Sequence, residues 1–539
     1  MDTPFIVNGR KFFPLGGQAR NSSAYMPEET ETFWRSLEAV GGNTGEIPIY
    51  WEKAEPQEGK FDFKIIDTLI KQARERNKKL ILLWFATWKN GNMKFAPTWV
   101  KEDRKRFKRV LSHDGAEMSV LSSHCSENLK ADSGAFKEVM RHIHKVDDKE
   151  RTIIGIQVEN EPGIVGRTYR DHGPDGEREF QSAVPAFLID QIAGQASKKP
   201  ASPVFKVWEK NGSKKFGTWP EVFGLDGAEF LSAYSIAKYI DTIAKEGKSV
   251  HNIPMLVNVW LDGALWNQPG TAYPSGAPEE NVLDIWKWTT KYIDIIAPDI
   301  YKQNPGGFNH HCEVYNREDN ALFVPESWPG HTLNACNMFT AIGKYDCIGY
   351  FGFGLEQIFL DDGTINPSNN PFVGSCKALS AALPLLTKYR GTGKIFTIFQ
   401  GEGMADQLLP DLGDFKGLAQ FHDNTMQDVG YFGDYHHCNK DIMSERGRGL
   451  VIQADKNEFF LLGAGFAFCF REKAASAQYP EVLRESLMNY ISIEEGHFDA
   501  EENWVVDRLR NGDECDFGIW VHPDIGVVRV VVDYSNAAE

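Results

Sequence analysis

The sequence is poor in cysteine, and its cysteines follow no pattern. Among 539 residues there are eight, at positions 125, 312, 336, 347, 376, 438, 469 and 515, with no Cys-x-x-Cys pair. Disulfide frameworks and zinc knuckles use close, repeated spacings, so neither is predicted and we expect free, mostly buried thiols. The run His310-His311-Cys312-Glu313 is a weak metal candidate, because adjacent residues rarely converge on one ion. No metal site is therefore predicted.

The sequence also lacks long apolar runs, a positive net charge and a recognisable leader. No apolar stretch approaches the ~20 residues that a membrane-spanning helix needs. Lysine and arginine number 58 against 75 aspartates and glutamates, a formal charge of −17, which argues against nucleic acid as a partner. The first residues, Met1-Asp2-Thr3-Pro4, lack the basic and apolar regions of a signal peptide. We expect neither nucleic acid nor a membrane as partner, and the compartment stays open between cytoplasmic and secreted with the signal removed.

Apolar runs and helical stretches alternate through the first 390 residues. Strand-like runs occur at 12–17, 43–51, 79–85, 153–161, 255–260, 293–301, 321–326 and 348–353. Helical stretches occur at 28–40, 65–75, 133–145, 229–245, 282–290, 335–342 and 377–387. The alternation predicts a parallel sheet with helical crossovers, and eight strand-like runs predict a closed (β/α)8 barrel. The longest insertions, 164–228 and 261–281, follow strands four and five and are expected to shape the pocket.

The pattern changes after residue 390. Strand-like runs at 394–399, 449–454, 458–462, 517–521 and 527–532 are separated by turns, without regularly intervening helices. This is typical of an antiparallel β-sandwich. The sequence therefore predicts two domains, a barrel over 1–390 and a smaller sandwich over 391–539. An aromatic-rich β-domain is also a possible homodimer interface.

The stretch 156–163, Ile-Gln-Val-Glu-Asn-Glu-Pro-Gly, is the most informative in the chain. An apolar, β-branched strand ends in two carboxylates and an amide, and Pro162 then stops it. Catalytic groups of (β/α)8 barrels lie at such strand ends. Alternation places Glu159 and Glu161 on one face unless the strand end bends. Either is a candidate acid, and the terminal position of Glu161 favours it.

A second carboxylate ends strand seven. The segment Leu322-Phe323-Val324-Pro325-Glu326-Ser327-Trp328 brings Glu326 to the same mouth of the predicted barrel. Glycoside hydrolysis needs such a pair, one carboxylic acid to protonate the leaving oxygen and one carboxylate to meet the anomeric carbon. A separation near ~5 Å gives a covalent intermediate and retention, and ~6.5–9.5 Å gives inversion. Glu52, Glu55 and Glu356 also lie near strand ends, and Glu55, before Pro56, is interpreted as fixing a loop.

These motifs resemble a known family. The run Gln157-Val158-Glu159-Asn160-Glu161 is similar to the acid/base motif of family 35 of the glycoside hydrolases, the β-galactosidases. The segment Tyr50-Trp51-Glu52, with Glu58-Gly59-Lys60-Phe61-Asp62-Phe63, resembles that family's strand-two region. The likeness is greatest to a bacterial and fungal branch with a C-terminal β-sandwich of unknown function.

The resemblance implies roles for five residues. Glu161 would be the general acid/base and Glu326 the nucleophile of a retaining mechanism. Asn160 would hydrogen-bond the sugar 2-hydroxyl, Tyr301 would hold the nucleophile's carboxylate, and Tyr50 would contact the sugar. No metal or organic cofactor is implied. The expected activity is exo-acting hydrolysis of a terminal β-galactoside, with another β-glycoside or a non-catalytic carbohydrate-binding protein as alternatives.

One segment departs from the family pattern. After strand three the family carries an Asn/Cys-Ala-Glu segment that reads galactose hydroxyls, whereas this chain has Trp84-Phe85-Ala86-Thr87-Trp88. Thr87 replaces the glutamate, so at least one sugar hydroxyl must be recognised differently. Because aromatic faces stack on sugar rings, the candidate stacking residues are Trp84, Trp88, Trp260, Trp266 and Trp328.

Overall fold

The structure is a computed structural model of the whole chain. It describes residues 2–166, 168–197, 201–262, 268–401, 407–408, 410–421, 446–473, 489–516 and 518–533. Among these residues no helix combines the length and apolar character needed to cross a membrane. No disulfide joins any two of the seven cysteines in the same ranges, and six of the seven are buried.

Parallel strands form the core of the N-terminal region. Two short strands, β1 (Ile6–Val7) and β2 (Arg10–Lys11), make a hairpin that precedes it. The parallel strands are then β3 (Leu15–Gln18), β4 (Thr44–Tyr50), β5 (Lys79–Lys89), β8 (Ile153–Asn160), β9 (Met255–Trp260), β10 (Ile295–Asp299) and β11 (Tyr350–Phe353). Their order in the sheet is β10-β9-β8-β5-β4-β3-β11. Every residue of β8 is buried, as expected for a strand covered on both faces.

The segment 321–326 closes this sheet into a barrel. On one side Ile348 N donates to Leu322 O over 2.8 Å, and Phe351 N donates to Val324 O over 2.9 Å. On the other side Ile300 N donates to Glu326 O over 3.0 Å. The segment therefore lies between β10 and β11 as the eighth member, and the predicted (β/α)8 barrel is confirmed.

Helices surround the barrel in the predicted alternation. They are α1 (Pro27–Ala39), α2 (Trp51–Ala54), α3 (Lys64–Glu75), α4 (Thr98–Glu102), α5 (Ser126–Asp147), α6 (Pro174–Phe180), α7 (Ala186–Ala193), α8 (Pro203–Lys210), α9 (Trp219–Phe223), α10 (Gly227–Lys248), α11 (Leu283–Thr289), α12 (Pro305–Tyr315), α13 (Thr332–Tyr345), α14 (Asn370–Ala381) and α15 (Leu383–Tyr389). A hairpin of β6 (Arg109–Leu111) and β7 (Glu117–Leu121) lies in the connection after β5. Four of the helices, α6 to α9, make up the insertion after strand four.

The C-terminal region is a two-sheet β-structure. One sheet has the order β12 (Ile395–Phe399), β16 (Arg448–Gln453), β17 (Glu458–Ala464), β22 (Val527–Val532), β19 (Tyr490–Phe498) and β20 (Trp504–Arg510). The other joins β13 (Gln407–Leu408), β15 (Phe415–Phe421), β18 (Phe466–Glu472) and β21 (Ile519–Trp520), with β14 (Asp411–Leu412) beside β15, and a short helix α16 (Asp513–Asp516) precedes β21. All these pairings are antiparallel. Side chains of both sheets share one buried apolar cluster, so the predicted antiparallel sandwich is confirmed.

The outer face of the first sheet packs on the barrel. Leu450, Ile452 and Val527 belong to the same apolar cluster as the barrel helices. Arg448 is fully buried at this junction, where its Nε donates to Ser375 Oγ over 2.8 Å and its guanidinium also donates to Pro371 O. The division of the chain into domains at residue 390 stays a prediction.

Several barrel strands differ in extent from the prediction, and within the predicted strand seven, 321–326, only Val324 forms a bridge. Strand one begins at Leu15 rather than at residue 12. Strand three continues to Lys89 instead of ending at residue 85. Its pairing with β8 has an irregularity between Trp84 and Lys89, which accommodates residues beyond the apolar run. This extension brings polar side chains to the mouth of the barrel.

Candidate active site

Three carboxyl groups converge at the C-terminal mouth of the barrel. Glu161 follows β8, Asp299 ends β10 and Glu326 ends the segment 321–326. One carboxyl oxygen from each lies within 4.8 Å of the other two, and all three residues are buried. The nearest carboxyl oxygens of Glu161 and Glu326 are therefore at most 4.8 Å apart, which is nearer to the ~5–5.5 Å of the carboxyl pair in retaining glycosidases than to the ~6.5–9.5 Å in inverting ones. Three such oxygens could also ligate a hard cation, but the buried Lys89 amine already supplies positive charge beside them.

The end of β8 bends, and the bend separates its two glutamates. Glu159 and Glu161 both have left-handed backbones, with φ of +66° and +47°. This conformation costs a non-glycine residue on the order of 1 kcal/mol or more and is common where function requires it. The strand alternation that would place both glutamates on one face is wrong here, because two left-handed residues rotate the chain between them.

Glu159 is part of the protein core. Its carboxyl accepts hydrogen bonds from Thr87 N at 3.3 Å and Trp88 N at 2.7 Å, and it is fully buried. Burial, together with the nearby Asp132 carboxyl of α5, raises the pKa of Glu159 well above its usual value. Two buried carboxyl groups in contact cannot both ionise, so this pair holds a proton. The cavity that contains Glu161 does not include Glu159 in its lining.

Asn258 of β9 organises the carboxyl cluster. Its Oδ1 accepts from Glu161 N over 2.7 Å, which fixes the bent strand end. Its Nδ2 donates to Asp299 Oδ2 over 2.8 Å and lies 3.4 Å from Glu326 Oε1. Asn258 is fully buried. One amide thus connects three strand ends, as a preorganised site requires.

Tyr301 holds Glu326 as the resemblance implies. Its hydroxyl donates to Glu326 Oε2 over 2.7 Å. Burial and the adjacent Glu326 charge raise the pKa of Tyr301 well above its usual value, so the phenol remains a donor at every physiological pH. A charge-assisted hydrogen bond of this kind stabilises the ionised carboxylate by about 1.5–3 kcal/mol.

Glu161 has the electrostatics of a general acid. Burial, then the negative charge of Glu326, raises its pKa to about 7. Asn90 Nδ2 donates to Glu161 Oε2 over 2.5 Å, and the Lys89 charge opposes part of the rise. An acid with a pKa near the working pH gives efficient proton transfer.

Asp299 acts as a neutral neighbour of Glu161. Burial and the charges of Glu326 and Glu161 raise the pKa of Asp299 well above its usual value. A protonated Asp299 donates to Glu161, and this side-chain hydrogen bond lowers the pKa of Glu161. Asp299 is not among the site residues predicted from the sequence, although it directly precedes Ile300-Tyr301 at the end of a strand.

This arrangement predicts different effects of two substitutions on the pH profile. Asp299→Asn keeps a neutral donor, so the alkaline limb of kcat/KM should stay near pH 7, the pKa of Glu161. Asp299→Leu removes the donor, so the pKa of Glu161 and the alkaline limb should move to higher pH. Initial rates across the pH range measure both. An alkaline limb that moves equally in the two variants would contradict a proton on Asp299.

A cavity of about 540 Å³ opens above the carboxyl groups. Its lining includes Glu161, Asp299, Glu326, Asn21, Lys89, Asn90, Trp260, Leu261, Asp262, Tyr301 and Phe353. Leu261 and Asp262 come from the insertion after strand five, as predicted. Among the described residues, none of the longer insertion 164–228 lines this cavity.

The predicted sugar-binding residues divide between the cavity and the core. Trp260 lines the cavity and Tyr301 is 40% exposed at its wall. Trp328 is 46% exposed but is not part of the lining. Asn160 is fully buried, its Oδ1 accepts from Gln157 Nε2 over 3.1 Å, and its Nδ2 has no hydrogen-bond partner. Its predicted contact with the sugar stays a prediction.

Three of the predicted sugar contacts are wrong. Trp84 is fully buried and its Nε1 donates to Asp132 Oδ1 over 2.9 Å, so its ring cannot stack on a ligand. Tyr50 is 1% exposed, and its hydroxyl donates to Asn21 O and accepts from Ala24 N. Trp88 is buried as well, and Trp266 lies outside the described residues. Each of these buried aromatic rings packs in the barrel core and does not line the cavity.

Strand three provides polar groups to the cavity that were not predicted from the sequence. Thr87, which replaces the family's glutamate, is buried and bonds Asp132 Oδ2 over 2.5 Å rather than facing the cavity. Lys89 and Asn90, two and three residues further on, line the cavity instead. The polar residues directly before Gly91 are the sequence feature that could have indicated these two cavity-lining side chains.

Glu55 accepts from Trp51 Nε1 and Gly59 N, which confirms its loop-fixing role.

Comparison with known proteins identifies relatives of both regions. Residues 25–187 match the β-galactosidase family of glycoside hydrolases, family 42. Residues 375–522 match a domain of unknown function, DUF5597. The chain thus combines a barrel that is similar to β-galactosidases over residues 25–187 with a C-terminal region that is similar to a domain of unknown function.

Individual relatives are distant. Beta-galactosidase 14 of Arabidopsis thaliana is 25% identical over 182 residues, which are 32% of this chain and 18% of that protein. A β-galactosidase structure from Bacillus circulans sp. alkalophilus has a TM-score of 0.50 at 14% identity, covering 70% of this chain and 57% of that one. A β-galactosidase structure from the haloarchaeon Halorubrum lacusprofundi has a TM-score of 0.49 at 15% identity, covering 68% and 58%. The chain spans about a fifth of the curated relative and just over half of these solved chains.

Proposed function

We propose that this protein is a retaining, exo-acting β-galactosidase. The observation that carries the proposal is the short separation of two strand-end carboxyl groups, within 4.8 Å between Glu161 and Glu326. That separation leaves room for a covalent glycosyl-enzyme and none for a water between carboxylate and sugar. The motif ending in Glu161 supports a finer placement in family 35, and the family-42 match supports β-galactoside as substrate class.

The reaction takes two displacements. Glu326 attacks the anomeric carbon as Glu161 donates its proton to the glycosidic oxygen, so the sugar–oxygen bond breaks and a sugar–Glu326 ester forms. Glu161, now ionised, removes a proton from water, and the resulting hydroxide cleaves the ester and regenerates both groups. Tyr301 and Asn258 keep the Glu326 carboxylate in place, which limits the reorganisation needed at the transition state.

A second groove supports an oligosaccharide as the natural substrate. A neighbouring cavity of about 580 Å³ shares Asn21 and Phe353 with the first. Its lining adds Arg20, Ser22 and Gln357, side chains able to hydrogen-bond hydroxyl groups. We propose that one cavity holds the terminal galactose and the other holds sugar units further along the glycan.

Two measurements test the proposal together. Release of nitrophenol from a panel of aryl glycosides should be fastest for the β-galactoside. Proton NMR during turnover should detect the β-anomer as the first sugar product, because two inversions restore the starting configuration. Turnover of a different β-glycoside with retention would keep the mechanism and change the substrate. Binding of galactosides without any release would support a non-catalytic carbohydrate-binding protein.

A further inference from the structure

A cluster of metal-ligating side chains lies at the end of the barrel away from the carboxyl groups. His144 is in the last turn of α5 and Asp148 follows that helix, four residues later. His251 lies between α10 and β9. These positions precede barrel strands four and five, so they belong to the N-terminal face, where (β/α)8 barrels carry stability rather than catalysis.

The three ligand atoms lie close to one another. His144 Nδ1 lies 3.3 Å from His251 Nδ1. Asp148 Oδ1 lies 3.5 Å from His144 Nδ1 and 3.7 Å from His251 Nδ1. A tetrahedral Zn²⁺ with bonds of about 2.0–2.1 Å separates its ligand atoms by about 3.3–3.4 Å. The triangle therefore needs shifts of only a few tenths of an ångström to bind zinc.

We propose that His144, Asp148 and His251 bind a Zn²⁺ ion. Imidazole nitrogens and one carboxylate are ligands suited to this ion. The half-exposed His144 leaves a path for the ion and for water as fourth ligand. Because His251 is buried, its imidazole is held in place as the second nitrogen ligand. Bound zinc would connect the turn that leads into β8 with the turn that leads into β9.

Arg151 competes with the ion for Asp148. Its guanidinium nitrogen lies 3.5 Å from the same Oδ1, and its Nε donates to Asp148 O over 3.0 Å. The carboxylate thus already has a cation when the site holds no metal. Arg151 has a left-handed backbone, φ +48°, which asparagine tolerates. Arg151→Asn should therefore tighten zinc binding without straining the turn.

Titration of the chelator-treated full chain with Zn²⁺ tests the site. Calorimetry should give saturable binding of one ion per chain, and zinc should raise the unfolding temperature. Because even indirect partners of metal ligands affect affinity by about 10–100-fold, His144→Gln and Asp148→Asn should each weaken binding by at least about 100-fold. Co²⁺ in place of Zn²⁺ should give the visible absorption of a tetrahedral nitrogen–oxygen site.

The control is His142→Gln on the same helix. His142 Nε2 bonds Asp67 and its ring stacks on Phe63, away from the cluster, so zinc affinity should not change. His144 is on the surface, and its substitution tests the proposal even if a His251 variant fails to fold. Absence of saturable binding, or binding that survives His144→Gln, would overturn the site and leave an imidazole–imidazole hydrogen bond. Neither result bears on galactoside turnover.

Discussion

Glu326→Ala should abolish turnover of an aryl β-galactoside, with a loss of kcat on the order of 10⁴-fold or more, as for other catalytic nucleophiles. The substitution removes the group that forms the ester and leaves space beside Tyr301 and Asn258. Azide should bind in that space, attack the anomeric carbon directly and restore part of the rate. Because only one inversion then occurs, the product should be the α-galactosyl azide.

Glu46→Gln is the matched control for this experiment. Glu46 is also a fully buried glutamate of the barrel interior, where it accepts from Gln18 Nε2 over 3.2 Å. Burial raises its pKa well above the usual value, so its carboxyl is neutral and glutamine reproduces it. Activity should stay within about tenfold of the parent chain. Full activity in Glu326→Ala would refute the role of Glu326 as nucleophile. So would azide that does not change the rate, or formation of the β-azide.

The architecture was predictable because it depends on apolar periodicity. Each of the eight barrel strands is a short run of buried, mostly apolar residues, and each is separated from the next by a helix or a loop. The end of β5 was not predictable by the same means. Lys89 is almost fully buried and continues the strand past Thr87, because tertiary contacts and not propensity decide where this strand stops.

The bend at the end of β8 could not be predicted from the sequence either. Glu159 and Glu161 have identical side chains at alternate positions, and only two left-handed residues direct one to the core and one to the cavity. The role of Asn258, in contrast, could have been inferred from the sequence. An amide in the otherwise apolar run Met255–Trp260 is costly to bury without partners, and the partners are the catalytic candidates themselves.

The buried tryptophans show the limit of reasoning from residue type. Trp84 and Trp260 both lie on barrel strands near the mouth, and both were candidates for stacking on a sugar. Trp260 lines the cavity, whereas Trp84 binds the Asp132 carboxyl inside the protein. Residue type and strand position are the same in the two cases, so the sequence alone does not tell which indole faces the cavity.

Glu161→Gln should separate the acid role from the nucleophile role. General acid catalysis contributes about 10²–10⁴-fold, so hydrolysis of a natural galactoside should fall by that factor. An aryl galactoside with a good leaving group needs less protonation, and its first step should be affected much less. The alkaline limb near pH 7 should also disappear, because the pKa of about 7 belongs to Glu161.

The sign of that pH dependence follows from the raised pKa. Below pH 7 the Glu161 carboxyl is protonated and can serve as acid, and as the pH rises through 7 the active fraction falls. In Glu161→Gln no group at this position titrates, so kcat/KM should be flat across the same interval. Azide should now attack the glycosyl-enzyme on Glu326, and two inversions should give the β-galactosyl azide. The azide anomer therefore distinguishes the two glutamates by chemistry rather than by rate.

Glu159→Gln is the matched control, since the two glutamates are two residues apart on the same strand. Glu159 accepts from two backbone amides and shares a proton with Asp132. Its substitution should lower the unfolding temperature, because a buried amide cannot satisfy the same donors. The folded fraction of Glu159→Gln should keep the alkaline limb of kcat/KM near pH 7. Glu161→Gln, which removes a buried carboxyl close to Glu326, should unfold at the same temperature as the parent chain or higher. Loss of the alkaline limb in Glu159→Gln instead would transfer the acid role to Glu159.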